Sequence, residues 1–197
     1  PSLYDLLFEK PTPLVPRYLC FGVTERLDST GNELIPLDRK SVVHAAEKLK
    51  KEGVEAIAIC FLHSFLNPEH EQKCREIIKD VYPESVISIS SDVAPEFREY
   101  FRASTTVINA GVKPVVERYL SKIESKLNKI GFKGESLIMQ SNGGVLTFTA
   151  AKFKPVFMVE SGPAAGVIAS THIGNKLGFN NIMSFDMGGT TAKTGLI

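Results

Sequence analysis

The sequence has no tryptophan and only three cysteines in 197 residues. Cys20, Cys60 and Cys74 are odd in number, widely separated and without a Cys-x-x-Cys pair. That spacing argues against a disulfide framework and a cysteine-based zinc site, and it points to a reducing, cytoplasmic compartment. Excess charge of either sign is also missing, since 23 basic residues stand against 22 acidic ones. A chain so balanced has no bulk attraction for nucleic acid or for an anionic membrane, so neither is expected as a partner. No apolar run approaches the roughly 20 residues that a bilayer-spanning helix requires. The first residues lack both an initiator methionine and a signal-peptide layout, and both ends read as cut from something longer. The four histidines form no His-Glu-x-x-His pair, and the wide separation of His63 and His70 argues against a shared metal. No nucleophile-base pair is legible, so no catalytic residue is assigned.

What is present is ordinary for a globular chain: 43% hydrophobic and 23% charged residues, enough to bury a core without disulfides. Turn formers punctuate residues 1–38, with an antiparallel hairpin expected around the cluster at 28–32. Asp38 reads as the N-cap of a helix over 39–52, closed by Gly53. The apolar run 54–62 predicts a strand buried on both faces. Asn67 and Pro68 open a helix that ends at Pro83, and 86–90 predicts a strand, which makes a right-handed βαβ unit. A helix over 95–103 is expected to weaken at Ser104, Thr105 and Thr106. A long amphipathic helix over 113–130 follows, ended by Gly131. Residues 137–140 and 156–159 predict short strands, 161–177 a helix rich in small residues, and 182–185 a last strand before a glycine turn.

Four stretches invite chemistry, and each has two readings. The first is the turn DMGGTTAK, residues 186–193. Gly188 and Gly189 permit positive φ and close backbone approach. Thr190 and Thr191 add hydroxyls to a turn whose N–H groups form an anion-binding concavity. Asp186 would repel a bare phosphate, which implies a divalent cation between them; a plain hairpin tip is the alternative. The second is SGPAAG, residues 161–166, which suits either an anion at a helix N-terminus or tight packing against a sheet. The third is Ser141, Asn142 and Gly143 at a strand's end, either a ligand-facing edge or a capped turn. The fourth runs from Arg98 through Glu99, Arg102, Ser104, Thr105 and Thr106 to Asn109, either a solvated helix face or a ligand contact.

Taken in order, IMQSNGG (138–144), SGPAAGV (161–167) and DMGGT (186–190) resemble the hydantoinase A, ATP-dependent 5-oxoprolinase and acetone carboxylase β-subunit family. Earlier segments agree: ERLD (25–28) with Gly31, LHS (62–64) with NPEH (67–70), and REY (98–100) with STT (104–106) and Asn109. The resemblance runs from about residue 18 to the end. It implies an α/β fold with a ribonuclease-H-like lobe of the actin-like ATPase superfamily, incomplete here, its mixed sheet flanked by helices. Residues 1–160 would supply the C-terminal part of the first lobe, 161–178 a crossover helix, and 179–197 the opening hairpin of the second. The implied activity is ATP- and Mg²⁺-dependent opening of a small cyclic amide, a hydantoin or 5-oxoproline, through phosphorylation of the amide oxygen. Other branches of the resemblance imply a carboxylase-type subunit that activates a ketone and bicarbonate, or a non-catalytic nucleotide-binding scaffold. By the same resemblance Gly188, Gly189, Thr190 and Thr191 hold phosphate oxygens, and Ser161, Gly162 and Gly166 shape the nucleotide wall. Asp186 orients Mg²⁺ through water, and Ser141, Asn142 and Gly143 are lesser cleft candidates. A hydantoinase B-type subunit or domain is the implied partner. Many members have an acid where this chain has Lys193, which leaves that side chain either to neutralise phosphate or to be solvated.

Overall fold

The computed structural model describes residues 4, 7–9 and 11–197. They form two compact units, Pro1–Gly111 and Val112–Ile197.

The first unit starts with a short antiparallel hairpin, β1 (Arg26–Leu27) and β2 (Glu33–Ile35). The Asp28 carboxylate fixes its tip by accepting from the backbone N–H groups of Thr30 (2.8 Å) and Asn32 (2.9 Å). Helix α1 (Arg39–Lys51) is capped by Asp38, which accepts from the amides of Lys40 and Ser41. It buries Val42, Ala45, Ala46 and Leu49, the stripe that a 3.6-residue period places on one face. Strands β3 (Ala56–Ile59) and β4 (Val86–Ile89) pair in parallel through the crossover helix α2 (Glu69–Val81). Asn67 Oδ1 accepts from Glu69 N at 3.0 Å, and Pro68 already has helical dihedrals, as the capping signal predicts. Ile57, Ile59, Ile87 and Ile89 from the strands meet Val42, Leu49, Cys74, Ile77 and Ile78 from the helices to form the core. Each such side chain contributes about 1.5–3 kcal/mol by leaving water. Strand β3 is shorter than its apolar run. Only Ile57 and Ile59 are buried while Ala56 and Ala58 are half-buried, so one face rather than both is sealed.

A four-residue helix, α3 (Ser90–Val93), follows β4 directly, and then comes α4 (Glu99–Lys129). The expected weakening at 104–106 does not occur. Thr106 Oγ1 donates back to the Arg102 carbonyl at 2.7 Å and is fully buried, so its hydroxyl is satisfied within the helix. Pro114 also lies inside α4.

In the second unit β5 (Leu137–Met139) pairs antiparallel with β6 (Val145–Thr147), and Thr147 caps α5 (Phe148–Phe153). Leu120, Phe148 and Ala151 form its small core, with Ile138, Leu146 and Met158 against them. Residues Pro155–Met158 form a 3-10 turn, not the expected strand, because Pro155 at its start has no N–H to give a ladder. Helix α6 (Ser161–Lys176) leads to the antiparallel hairpin β7 (Met183–Met187) and β8 (Ala192–Leu196). The α/β class is present, but among the described residues four separate two-stranded sheets stand in place of the expected mixed sheet, β3–β4 parallel and the other three antiparallel. Among the described residues no helix is long and apolar enough to cross a membrane.

Candidate functional site

In the second unit the register of β7–β8 sets Ser184 opposite Gly195 and Asp186 opposite Lys193. Cross-strand partners share a face of the pleat. That face of the hairpin and the start of α6 enclose a cleft of about 370 Å³, lined by Pro163, Ala164, Gly166, Ser184, Asp186 and Lys193 among others. The hairpin closes on the helix at Gly195, where an added Cβ would lie 2.7 Å from a Val167 methyl carbon.

The small residues of α6 divide into two kinds. Gly174 is demanded by packing, because a Cβ there would meet Ile182 Cδ1 at 2.0 Å. A Cβ at Gly162 or Gly166 would meet nothing within 4 Å, so packing does not explain either. Gly166 therefore leaves open room beside Asp186. The Lys193 side chain, partly exposed, is ion-paired with Glu160, the residue before α6. Glu160 has φ of 61°, left-handed backbone that costs a non-glycine residue on the order of 1–3 kcal/mol. Glu160, an acid directly before SGPAAG, is visible in the sequence, but its partner 33 residues on is not.

Gly188, Gly189, Thr190 and Thr191 form the exposed tip, closed by Gly188 N donating to Thr191 O at 3.0 Å. Neither glycine adopts positive φ, contrary to the expectation for this turn; what they offer is close backbone approach. The cleft unites Gly166 with Asp186, while the tip stands outside its lining and Ser161 and Gly162 form the first turn of α6 beside Glu160. Ser141, Asn142 and Gly143 make the β5–β6 turn instead. Asn142 Oδ1 accepts from Gly144 N at 2.9 Å, Ser141 N donates to Phe157 O at 2.7 Å, and Gly143 has φ of 88°. A Cβ on Gly143 would sit 2.3 Å from Ile168 Cδ1, so this turn is packed against α6.

The stretch from Arg98 to Asn109 is solvated only at its start, where Arg98 and Glu99 are exposed. Arg102, Thr106 and Asn109 are all buried in the first unit. The Arg102 guanidinium donates to Ser90 Oγ (3.1 Å), Glu96 O (2.9 Å) and Phe61 O (2.7 Å). Ser90 Oγ in turn donates to Glu71 Oε1 at 2.6 Å, and Glu71 also accepts from the amides of Phe61 and Ser91. An acid and a base, both almost fully buried, are thus joined through one serine hydroxyl beyond the carboxyl ends of β3 and β4. Ser64 belongs to the LHS motif, whereas Glu71 was not legible as a site residue, because a buried carboxylate on an amphipathic helix looks like any other surface acid.

His70 is buried between Glu25 (Nδ1 to Oε2, 2.8 Å) and Glu33 (Nε2 to Oε2, 2.7 Å). Burial opposes its charge, but hydrogen bonds to the two carboxylates outweigh that and raise its pKa. Burial pushes the Cys74 thiol up to about 12, which makes it inert. Among the described residues no group of three or more His, Cys, Asp or Glu side chains gathers to hold a metal.

The motifs quoted for the resemblance now have physical partners: Glu25 with His70, Gly31 O with Asn67 Nδ2, and Ser64 with Ser90 beside Arg102. Residues 1–82 match the family model described as hydantoinase/oxoprolinase N-terminal region, and residues 102–197 match hydantoinase/oxoprolinase. An uncharacterized protein of Methanocaldococcus jannaschii is 46% identical over 197 residues, 100% of this chain and 29% of that protein. Caprolactamase subunit alpha of Pseudomonas jessenii is 34% identical over 188 residues, 95% of this chain and 27% of that one. The crystal structure of that organism's ATP-dependent caprolactamase superposes with a TM-score of 0.83, covering 98% of this chain and 28% of the other at 33% identity. A nucleotide-free acetone carboxylase, from a study of ATP-dependent acetone carboxylation, superposes with a TM-score of 0.89 over 96% of this chain and 27% of the other, at 34% identity. The chain thus spans less than a third of the length of the curated relatives it matches. On these grounds the chain belongs to the hydantoinase/oxoprolinase family.

Proposed function

We propose that this chain supplies one wall of a nucleotide site in an ATP-dependent enzyme that opens a small cyclic amide. The carrying observation is the cleft in which Gly166, free of any packing demand, faces Asp186 beside a paired Lys193. Gly188, Gly189, Thr190 and Thr191 would present amides and hydroxyls to phosphate oxygens from the hairpin tip. Ser161, Gly162 and Gly166 would border the nucleotide. In this reading the α6 helix joins two ribonuclease-H-like lobes, the second opening at β7–β8, with the further lobe elements supplied by a chain of its relatives' length.

Asp186 is exposed and stands alone as a cleft carboxylate. One carboxylate suits Mg²⁺, which keeps several waters and takes one or two acids with substrate phosphates. Asp186 would hold such a hydrated ion, whose chemistry is neutralisation of phosphate charge. Lys193, released from Glu160, would add a second positive charge. The chain's own share is therefore positioning and electrostatics around a phosphoryl group. Phosphorylation of an amide oxygen makes the ring carbon electrophilic towards water.

The caprolactamase relative supports a cyclic amide as substrate. The higher superposition on acetone carboxylase supports a second reading, activation of a ketone with bicarbonate. Phosphate release by the protein at its relatives' length, offered 5-oxoproline, a hydantoin, a lactam, or acetone with bicarbonate, separates the two. Release with none of them, and no binding of Mg-ATP in calorimetry, would leave a scaffold role. Other subunits of such an enzyme, a hydantoinase B-type chain among them, are the expected partners.

A further inference from the structure

His70 is one of the most deeply buried large side chains of the first unit, 2% exposed. Its two nitrogens reach two different strands' worth of carboxylate: Glu25, just before β1 and 7% exposed, and Glu33 at the start of β2, 48% exposed. In the imidazolium both nitrogens donate, and each has an acceptor. In the neutral ring one nitrogen must face a carboxylate lone pair without a proton. The hairpin is also held by Leu27 of β1, 1% exposed, and by Asn67 Nδ2 donating to Gly31 O at 3.0 Å, on the loop that leaves β3. Gly31 also rests on Leu66, and an added Cβ there would lie 3.3 Å from Leu66 Cβ.

We propose that His70 is a protonation latch, whose imidazolium fastens the β1–β2 hairpin to α2 and whose deprotonation releases the hairpin and frees the loop over residues 62–67. The charged groups facing the ring, among the described residues, are Glu25 and Glu33 from the hairpin and Glu69 from α2. Lys73 acts on Glu33 from the next turn and is itself held by Glu69 at 2.6 Å. The sign follows from the raised folded pKa. The latch contributes fully below the unfolded histidine value of about 6.5 and is lost as pH rises through the higher folded value. The device lies within the first unit and does not rest on the proposed chemistry.

The test is histidine-ring NMR on the 197-residue chain from about pH 5.5 to 9.5, with amide exchange corrected for its intrinsic pH dependence. The Asp28 and Asp38 amides, which donate to Asn32 O and Thr24 O, report on the hairpin, and the Tyr82 amide, which donates to Ile78 O, reports on the core. The expected result is a His70 midpoint above 6.5, with hairpin protection falling about tenfold per pH unit by which the midpoint exceeds it, while Tyr82 stays protected. Glu33→Gln, at a half-exposed position that leaves Glu25 in place, should lower both midpoints together. A His70 midpoint at or below 6.5, hairpin protection flat through it, simultaneous loss at Tyr82, or midpoints unmoved by Glu33→Gln would each overturn the latch.

Discussion

Lys193 and Glu160 form an ion pair that ties the last strand, β8, to the residue preceding α6. Asp186 stands directly across the hairpin from the same lysine. One ammonium is thus placed among two carboxylates at the mouth of a cleft that is proposed to receive a polyanion. Replacing Glu160 by Gln removes the competitor, and affinity of the relatives-length protein for Mg-ATP should rise. Lys193→Met removes a charge-assisted contact of about 1.5–3 kcal/mol and should weaken binding by about tenfold or more. Equal affinities in calorimetry for wild type and both variants would show that Lys193 meets no phosphate.

Asp186→Asn tests the metal role separately from stability. The side chain is exposed, so Tm should hold within the shift expected of a surface change, about 0.5 kcal/mol. Nucleotide affinity should lose its dependence on Mg²⁺. A variant that still binds more tightly with Mg²⁺ than without it would rule Asp186 out.

The Glu71–Ser90–Arg102 chain predicts an asymmetry. Arg102→Met leaves the Glu71 carboxylate buried without its positive counterpart, and such a change costs about 3–5 kcal/mol. Adding Glu71→Leu removes the stranded charge and should recover part of the loss. Urea unfolding of the wild type and the two variants measures both steps, and a double variant no better than the single one would mean the two charges are not coupled through Ser90.

Asp28 governs an acid limb. Its hydroxyl bond from Thr30 comes first, then amide bonds from Asn32 and Thr30, and together they hold its carboxyl down to about 2. A carboxyl depressed on folding stabilises above its unfolded value, near 3.9, and loses that contribution as pH falls through the folded one. Asp28→Asn should therefore flatten the stability profile between about pH 4 and 2. An unchanged acid limb would show that the turn is held by its backbone alone.

The isolated 197-residue chain is expected to hydrolyse no ATP, because in the proposed reading it supplies only one wall of the nucleotide site. Met183, Phe185, Met187 and Leu196 lie exposed on the hairpin, and a two-stranded hairpin is marginal by itself. Fast amide exchange over residues 183–196 should accompany the inactivity. Steady turnover by this chain would defeat the incomplete-site reading.

Local signals were legible wherever the cause was local. Asp38 before an apolar 3.6-residue stripe, Asn67 with Pro68, and the glycine-rich ends of helices fixed α1, α2 and α6 to within a few residues. A capping side chain and a helical stripe act over a few neighbours, so the sequence carries them whole. The order IMQSNGG, SGPAAGV and DMGGT likewise marks the family, because motif residues and their order are properties of the sequence itself.

Burial of polar groups was not legible, because it depends on what folds over them. Ser104 to Thr106 read as a break, yet the Arg102 carbonyl accepts the Thr106 hydroxyl and the helix runs on. Arg102, Glu71 and His70 carry ordinary surface residue types, and only the convergence of β3, β4, α2 and α4 buried the first two while the hairpin enclosed the third. The same holds for Lys193, whose partner lies 33 residues away in sequence. Sequence alone determined α1, α2, α6 and the family. Tertiary structure decided which charges are paired, since a salt bridge or a buried hydrogen bond is made by residues that only the fold brings within reach.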